Sequence, residues 1–217
     1  MISKAIILLS GGLDSVVALA YSKKHTDYNV ELGLTFDYGQ RTVEAEIEAS
    51  KRIAEYYNIK HKIIRLDWLA EITQSKLVTN TSEVQDESLN TLWVPNRNGL
   101  FLNIAASFCD SYGYNNILFG ANKDEAGVFP DNTEEFRAQI SKCFFTSTLI
   151  HPQVVAPLIN YSKSDIVKIA IEEGVPLEYI KSCYSSNGKH CGECNSCRYL
   201  LGALKDNNAQ EYINLLF

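Results

Sequence analysis

Two groups of residues in this 217-residue chain have the types and spacing to do chemistry. The first is Ser10-Gly11-Gly12-Leu13-Asp14-Ser15, which follows an apolar run ending at Leu9 and runs into a helical pattern. Glycines reach backbone angles closed to other residues and let a ligand approach the main chain. The N–H groups that open a helix have no internal partners, and the helix dipole favours an anion there. Ser10 and Ser15 add hydroxyl donors. Asp14 would repel a bare phosphate, so it makes sense beside a bound Mg²⁺. The physics points to a cradle for phosphate or pyrophosphate; the plain alternative is a tight strand-to-helix turn with an N-cap. The stretch lacks the third glycine of the dinucleotide fingerprint and the Gly-Lys-Ser/Thr of the Walker loop.

The second group is Cys183-x7-Cys191-x2-Cys194-x2-Cys197. Four thiolates at these spacings suit a closed, structural Zn²⁺ site. Gly188 and Gly192 ease the sharp turns, and the metal would staple a tail that lacks a core of its own. An iron–sulfur cluster is the rival; a redox pair fits less well, because four cysteines are grouped. Cys109 and Cys143 lie in helical patterns and read as small buried apolar residues. His190 adjoins a ligand but is not needed in a shell of four.

Both groups need elements to position them. Residues 5–9, 29–36, 60–66, 115–121 and 154–158 read as strands, the first apolar on both faces as a parallel sheet requires. Residues 13–24, 42–57, 98–112, 133–148 and 162–174 read as helices, with Thr133 and Ser162 as N-caps and Gly174 as a C-terminal stop. Residues 67–95 are rich in Ser, Thr, Asn and Asp and read as irregular. Alternating strands and helices predict an α/β fold: a doubly wound, mostly parallel five-stranded sheet with a small C-terminal zinc-binding subdomain. The expected division is a nucleotide-binding domain over 1–174 and a helical four-cysteine segment over 175–217. The turns SGGLDS, FDYGQR and FGANKDE follow strands and should converge on one crevice beyond their carboxyl ends.

Composition narrows the function. The chain is 46% hydrophobic and 21% charged, with a net charge of −6, so a broad basic surface for direct nucleic-acid binding is not expected. No apolar stretch reaches the roughly 18 residues of a membrane span. The run IILL is too short for a signal peptide. The expected location is the cytoplasm, where six cysteines argue for metal or catalysis rather than disulfides.

The string S-G-G-x-D-S after a first strand resembles the PP-loop of the ATP pyrophosphatase superfamily, which adenylates carbonyl or carboxylate oxygens. Taken with TFDYGQR (35–41), VPNRNGLFL (94–102), FGA (119–121), PD (130–131), APL (156–158), Lys163, and SCY with CGECNSC (182–184 and 191–197), nearly the whole chain resembles the 7-cyano-7-deazaguanine synthases of queuosine precursor synthesis. The resemblance implies a ligase that adenylates 7-carboxy-7-deazaguanine and uses ammonia to form the nitrile, with ATP, Mg²⁺ and Zn²⁺, working as a homodimer. It implies that Leu9, Ser10, Gly11, Gly12, Leu13, Asp14, Ser15 and Phe36 hold ATP, and that Asp14, Arg97, Asn98 and Lys163 serve catalysis. Arg41, Phe129 and Asp131 would meet the substrate, with the Asp131 carboxylate on the purine edge. Cys183, Cys191, Cys194 and Cys197 would hold the metal.

The sequence departs from that pattern in places. Thr42 stands for the usual histidine after Gln40-Arg41, and the glutamate that follows is displaced to Glu44 or Glu46. Asn96 stands for a glycine. The S-G-Y-P-D-C-R block reads Ala126-Gly127-Val128-Phe129-Pro130-Asp131-Asn132-Thr133, one residue longer and without its Cys-Arg pair. These changes fall in the substrate region. They keep open a paralogue, such as one in a phage-defence system, with the same activation and a different acceptor amine such as a protein amino group. A binding module without catalysis is the blandest alternative.

Overall fold

The computed structural model describes residues 3–78, 89–184 and 188–217. Five strands, β1 (Ser3–Leu8), β2 (Tyr28–Asp37), β3 (Lys60–Arg65), β4 (Asn116–Leu118) and β5 (Gln153–Val155), form one parallel sheet in the order β3-β2-β1-β4-β5. The chain winds outward from β1 to β3, then returns to place β4 on the other side of β1. That reversal opens a crevice beyond the carboxyl ends of β1 and β4, where open α/β sheets bind ligands.

β1 has apolar residues on both faces because both faces are covered. Ala5 and Ile7 pack with α1 (Leu13–His25), α2 (Val43–Tyr56) and α7 (Lys163–Glu172), through residues such as Val16, Ile53 and Ile166. Ile6 and Leu8 face the opposite layer, where α4 (Arg97–Tyr112) contributes Leu102 and α6 (Glu134–Ser147) contributes Phe144. The C-terminal helices α8 (Asn195–Asp206) and α9 (Gln210–Leu216) join the first layer through Leu200, Leu204 and Leu216.

Both expected N-caps are present. Thr133 Oγ1 accepts the Phe136 amide at 3.1 Å. Ser162 forms a capping box with Asp165: its Oγ accepts the Asp165 amide at 3.2 Å, and Asp165 Oδ2 accepts the Ser162 amide at 2.9 Å.

Three expectations need correction. The strand expected over 115–121 is only Asn116–Leu118. Its continuation leaves the sheet because Gly120 lies against the start of α1, where a Cβ would stand 2.7 Å from the Ser15 nitrogen. The stretch 67–95 is not wholly irregular: α3 (Asp67–Ile72) buries Leu69, and a short 3₁₀ turn spans Leu89–Leu92, while 79–88 lie outside the described residues. Cys109 is buried as expected, but Cys143 is exposed, because it falls on the outer face of α6. A four-residue helix, α5 (Lys123–Ala126), begins right after the FGA turn.

Candidate active site

A cavity of about 280 Å³ occupies the crevice. Leu9, Ser10, Gly12, Leu13, Asp14, Ser15 and Phe36 line it, together with Arg97, Asn98, Phe129 and Lys163. Gly11, Arg41 and Asp131 do not. Gly11 instead faces α2 with φ +74°, where a Cβ would stand 2.8 Å from Ala49 Cβ and 2.9 Å from the Glu46 carbonyl, so only glycine lets the loop lie this close to that helix. The Arg41 amide donates to Leu77 O at 2.8 Å.

The serines of the loop tie it to itself. Ser15 Oγ accepts the Ser10 amide at 3.2 Å and donates to Gly12 O at 3.0 Å, and Ser10 Oγ accepts the Gly12 amide at 3.3 Å. The start of α1, where the helix dipole favours an anion, is thereby held against the cavity.

Lys163, the first residue of α7, reaches across to Asp14. Its Nζ lies 2.8 and 2.6 Å from the two carboxylate oxygens and 3.4 Å from Glu125 Oε1. Its own amide donates to Asp124 at 2.7 Å. Desolvation alone would depress the Lys163 ammonium, but Asp14 and Glu125 outweigh it and hold the group above the ordinary lysine range. Burial pushes the Asp14 carboxyl upward, with Lys163 pulling the other way. A fixed cation and two carboxylates therefore stand at the mouth of the first helix. The sequence reading found Asp14 and Lys163 but assigned nothing to Asp124 and Glu125. The polar turn FGANKDE was their only signal.

Arg97 enters from the start of α4. Its Nη1 donates to Tyr38 Oη at 3.3 Å. Desolvation opposes its charge, yet Tyr38 and Asp131 keep the guanidinium firmly protonated. Asp131 is taken up by Asn98 and Asn132: Oδ2 accepts the Asn98 amide at 3.2 Å, Oδ1 accepts Asn132 Nδ2 at 3.2 Å, and its carbonyl accepts Asn98 Nδ2 at 3.2 Å. The 130–132 turn and the start of α4 are locked together in this way. Phe36 stacks on Phe101 with ring centres 3.9 Å apart. Tyr184, Lys181 and Ser182, from the cysteine-bearing segment, close the cavity on another side.

The sulfurs of Cys183, Cys191, Cys194 and Cys197 all lie within 4.8 Å of one another. Cys191 Sγ and Cys197 Sγ are 3.8 Å apart, the separation of about 3.8 Å expected for two thiolates at tetrahedral positions around Zn²⁺. Backbone amides of Glu193 and Cys194 point at Cys191 Sγ from 3.5 and 3.4 Å, and the Cys191 amide points at Cys183 Sγ from 3.4 Å, as thiolate ligands favour. His190 is turned away from this set; its Nε2 accepts the Ser182 amide at 3.1 Å. The four cysteines form a metal-binding arrangement, closed by protein ligands.

The fold is shared with solved structures of low sequence identity. A nicotinamide mononucleotide (NMN) synthetase from Francisella tularensis aligns with TM-score 0.53 and 16% identity, covering 99% of this chain and 83% of the other. The U34-tRNA thiolase NcsA from Methanococcus maripaludis, a structure with a [4Fe-4S] cluster, aligns with TM-score 0.52 and 16% identity, covering 99% and 69%. Sequence relatives are much nearer. The chain is 45% identical to a 7-cyano-7-deazaguanine synthase of Methanosarcina barkeri, with 89% of this chain and 90% of the relative covered. It is 44% identical to one of Carboxydothermus hydrogenoformans, with 89% and 94% covered. The family model for the queuosine biosynthesis protein QueC matches residues 4–208, and with that match and those relatives the chain belongs to the QueC family.

Proposed function

We propose that the protein is an ATP-dependent carbon–nitrogen ligase that converts 7-carboxy-7-deazaguanine and ammonia to 7-cyano-7-deazaguanine. The observation that carries this reading is one cavity lined by Ser10 and Gly12 to Ser15 of the loop, the Lys163–Asp14 pair and Arg97, in a chain whose curated relatives bear that name. A carboxylate is a poor electrophile. Its oxygen attacks the α-phosphorus of ATP, pyrophosphate leaves, and an acyl-adenylate results. Ammonia adds to that carbonyl carbon, loses a proton, and expels AMP to leave the amide. The amide oxygen then attacks the α-phosphorus of a second ATP and pyrophosphate leaves; loss of the two N–H protons and departure of AMP with that oxygen give the nitrile.

The chain's part is positioning and charge compensation. The phosphates lie against the first turn of α1, beside Ser10 and Ser15. Lys163 faces the charge that builds on the departing pyrophosphate. Asp14 and Glu125 offer hard oxygen ligands suited to Mg²⁺, which would supply further charge neutralisation there. Arg97 and Asn98 hold the reacting carboxylate. Residues 1–174 carry this chemistry, and 175–217 hold a structural Zn²⁺ through the four cysteines. The functional unit in this reading is a homodimer.

Incubation with ATP, ammonium and 7-carboxy-7-deazaguanine, with the base followed by mass spectrometry, tests the proposal. Nitrile with nucleotide turnover is the expected result. Amide alone, or base attached to a protein amine, would transfer the assignment to the paralogue with another acceptor. Nothing in the comparisons favours that alternative. Among the described residues no helix is long and apolar enough to cross a membrane.

A further inference from the structure

Glu46 is a partly buried carboxylate on the cavity wall to which neither the sequence motif nor the reaction scheme gives a task. It lies in the first turns of α2, and its carbonyl is the backbone atom against which Gly11 packs, so its position is fixed relative to the phosphate loop. Thr42 Oγ1 donates to Oε1 at 2.5 Å, and Gln40 Nε2 donates to Oε2 at 2.9 Å. Gln40 is itself immobilised: Nε2 also donates to Phe36 O, and Oε1 accepts the Tyr38 amide, both at 2.9 Å. Each carboxylate oxygen thus has one neutral donor and room for a second, because an ionised carboxylate offers about four acceptor sites.

The other acids of the region are already engaged. Asp14 and Glu125 pair with Lys163, Asp124 accepts its amide, and Asp131 serves Asn98 and Asn132 outside the main cavity. Among the described residues no cation stands within ion-pair distance of Glu46. Arg97 and Lys181 act on it only from farther off. A partly buried carboxylate that lines a cavity and is held by neutral donors alone is matched to a neutral ligand that presents two parallel N–H groups.

We infer that Glu46 reads the base: its two oxygens accept the ring N–H and the exocyclic amino group of the 2-aminopyrimidinone half of the deazaguanine. The inference rests on the proposed function and gives Glu46, rather than Asp131, the purine edge. Thr42 and Gln40 are then positioning residues that aim the carboxylate, and the displaced glutamate after Gln40-Arg41 has a role. A site built to bond an N–H pair discriminates strongly against analogues that lack one, since the carboxylate is then left short of a donor.

The test compares wild type with Glu46→Gln and Thr42→Val, using 7-carboxy-7-deazaguanine and its 2-desamino analogue, with ATP affinity measured calorimetrically without base. Near-UV circular dichroism checks the fold. For wild type, kcat/KM should fall on the order of 10²-fold when the 2-amino group is removed. In Glu46→Gln the KM for the parent acid should rise at least about tenfold and the analogue penalty should largely vanish, with ATP affinity within about twofold of wild type. Thr42→Val should raise KM for the acid less, with kcat kept. An equal analogue penalty in wild type and Glu46→Gln overturns the inference alone. So does a matching loss of ATP affinity, which would assign Glu46 to the nucleotide's hydroxyls. A wild type that forms no product from the acid overturns the functional reading and this inference together.

Discussion

The Leu13 amide donates to Ser182 Oγ at 3.0 Å, joining the first turn of α1 to a residue 169 positions later. Next to it, the Lys181 amide donates to Gly11 O at 2.8 Å. Ser182 is the residue before the ligand Cys183, and its own amide is held by His190, the residue before Cys191. The phosphate loop and the thiolate cluster are therefore one hydrogen-bonded assembly. A cluster that stood apart from the chemistry would not touch the loop through two successive residues, Lys181 and Ser182.

Metal removal should accordingly weaken nucleotide binding. Cys194→Ser, or prolonged chelation, is expected to lower metal content and solubility and to reduce ATP affinity severalfold in the protein that remains folded. Linkage makes the effect reciprocal, so saturating ATP should slow metal release to a chromogenic chelator. Metal-depleted protein that binds ATP as tightly as the loaded form would separate the two sites.

Asp14 and Lys163 should differ when each is removed. Asp14→Asn keeps the shape and leaves Lys163 its Glu125 partner, so turnover should be abolished with the fold intact. Lys163→Met strands two carboxylates in a part-buried site, where Lys163 is 15% and Asp14 21% exposed. Loss of one partner of such a pair costs about 2–4 kcal/mol, so this variant should lose both activity and stability in a denaturant titration. Equal stability of the two variants would mean that the lysine is not holding these acids in place.

The capping box at α7 gives a pH prediction. Hydrogen bonds from the Ser162 side chain and backbone hold the Asp165 carboxyl below its ordinary range. A carboxyl whose folded pKa is depressed contributes stability above its unfolded pKa and loses it as pH falls through the folded value. Ser162→Ala should cost about 1 kcal/mol at neutral pH. The gap to wild type should shrink below about pH 4, where Asp165 of the unfolded chain begins to protonate while the folded carboxyl stays ionised to lower pH. A gap that stays constant from pH 7 to pH 3 would assign the whole effect to the serine alone.

The sequence showed the sheet because burial on both faces leaves a continuous apolar run such as Ala5 to Leu9, and it showed the helix starts because Thr133 and Ser162 cap them by local chemistry. Ser10 to Ser15 and the four cysteines were legible because their spacing is itself the signal. Residues that act through long-range packing were not. Lys181 and Ser182 matter because they touch Gly11 and Leu13, and no local pattern records that contact. Asp131 looked like a substrate ligand because a carboxylate after proline in a family block invites that role; its bonds to Asn98 and Asn132 exist only once α4 and the 130–132 turn are brought together. Glu46 was visible as a displaced glutamate, but its orientation depends on Gln40 being pinned by the end of β2.

Gly120 offers the sharpest test of how the crevice is built. It follows β4, the strand that flanks β1 at the reversal, and its α-carbon faces the backbone of Asp14 and Ser15. A Cβ there would stand 2.7 Å from the Ser15 nitrogen, 2.8 Å from the Asp14 carbonyl carbon and 3.0 Å from the Ser15 α-carbon. All three are main-chain atoms, so no side chain can rotate away to relieve the clash. Either the end of β4 moves off or the first turn of α1 shifts, and the second moves the amides and Asp14 together. Gly120→Ala should therefore destabilise the protein by about 1–3 kcal/mol, the range for overpacking a well-packed site. It should also weaken ATP binding more than acid binding, because Glu46 and Arg97 sit on other elements. Gly202 is the control, since a Cβ there meets nothing within 4 Å. Replacing that mid-helix glycine of α8 with alanine should leave activity alone and add up to about 1 kcal/mol of stability through helix propensity. If Gly120→Ala bound ATP as wild type does, the phosphate loop would not depend on its seat against β4.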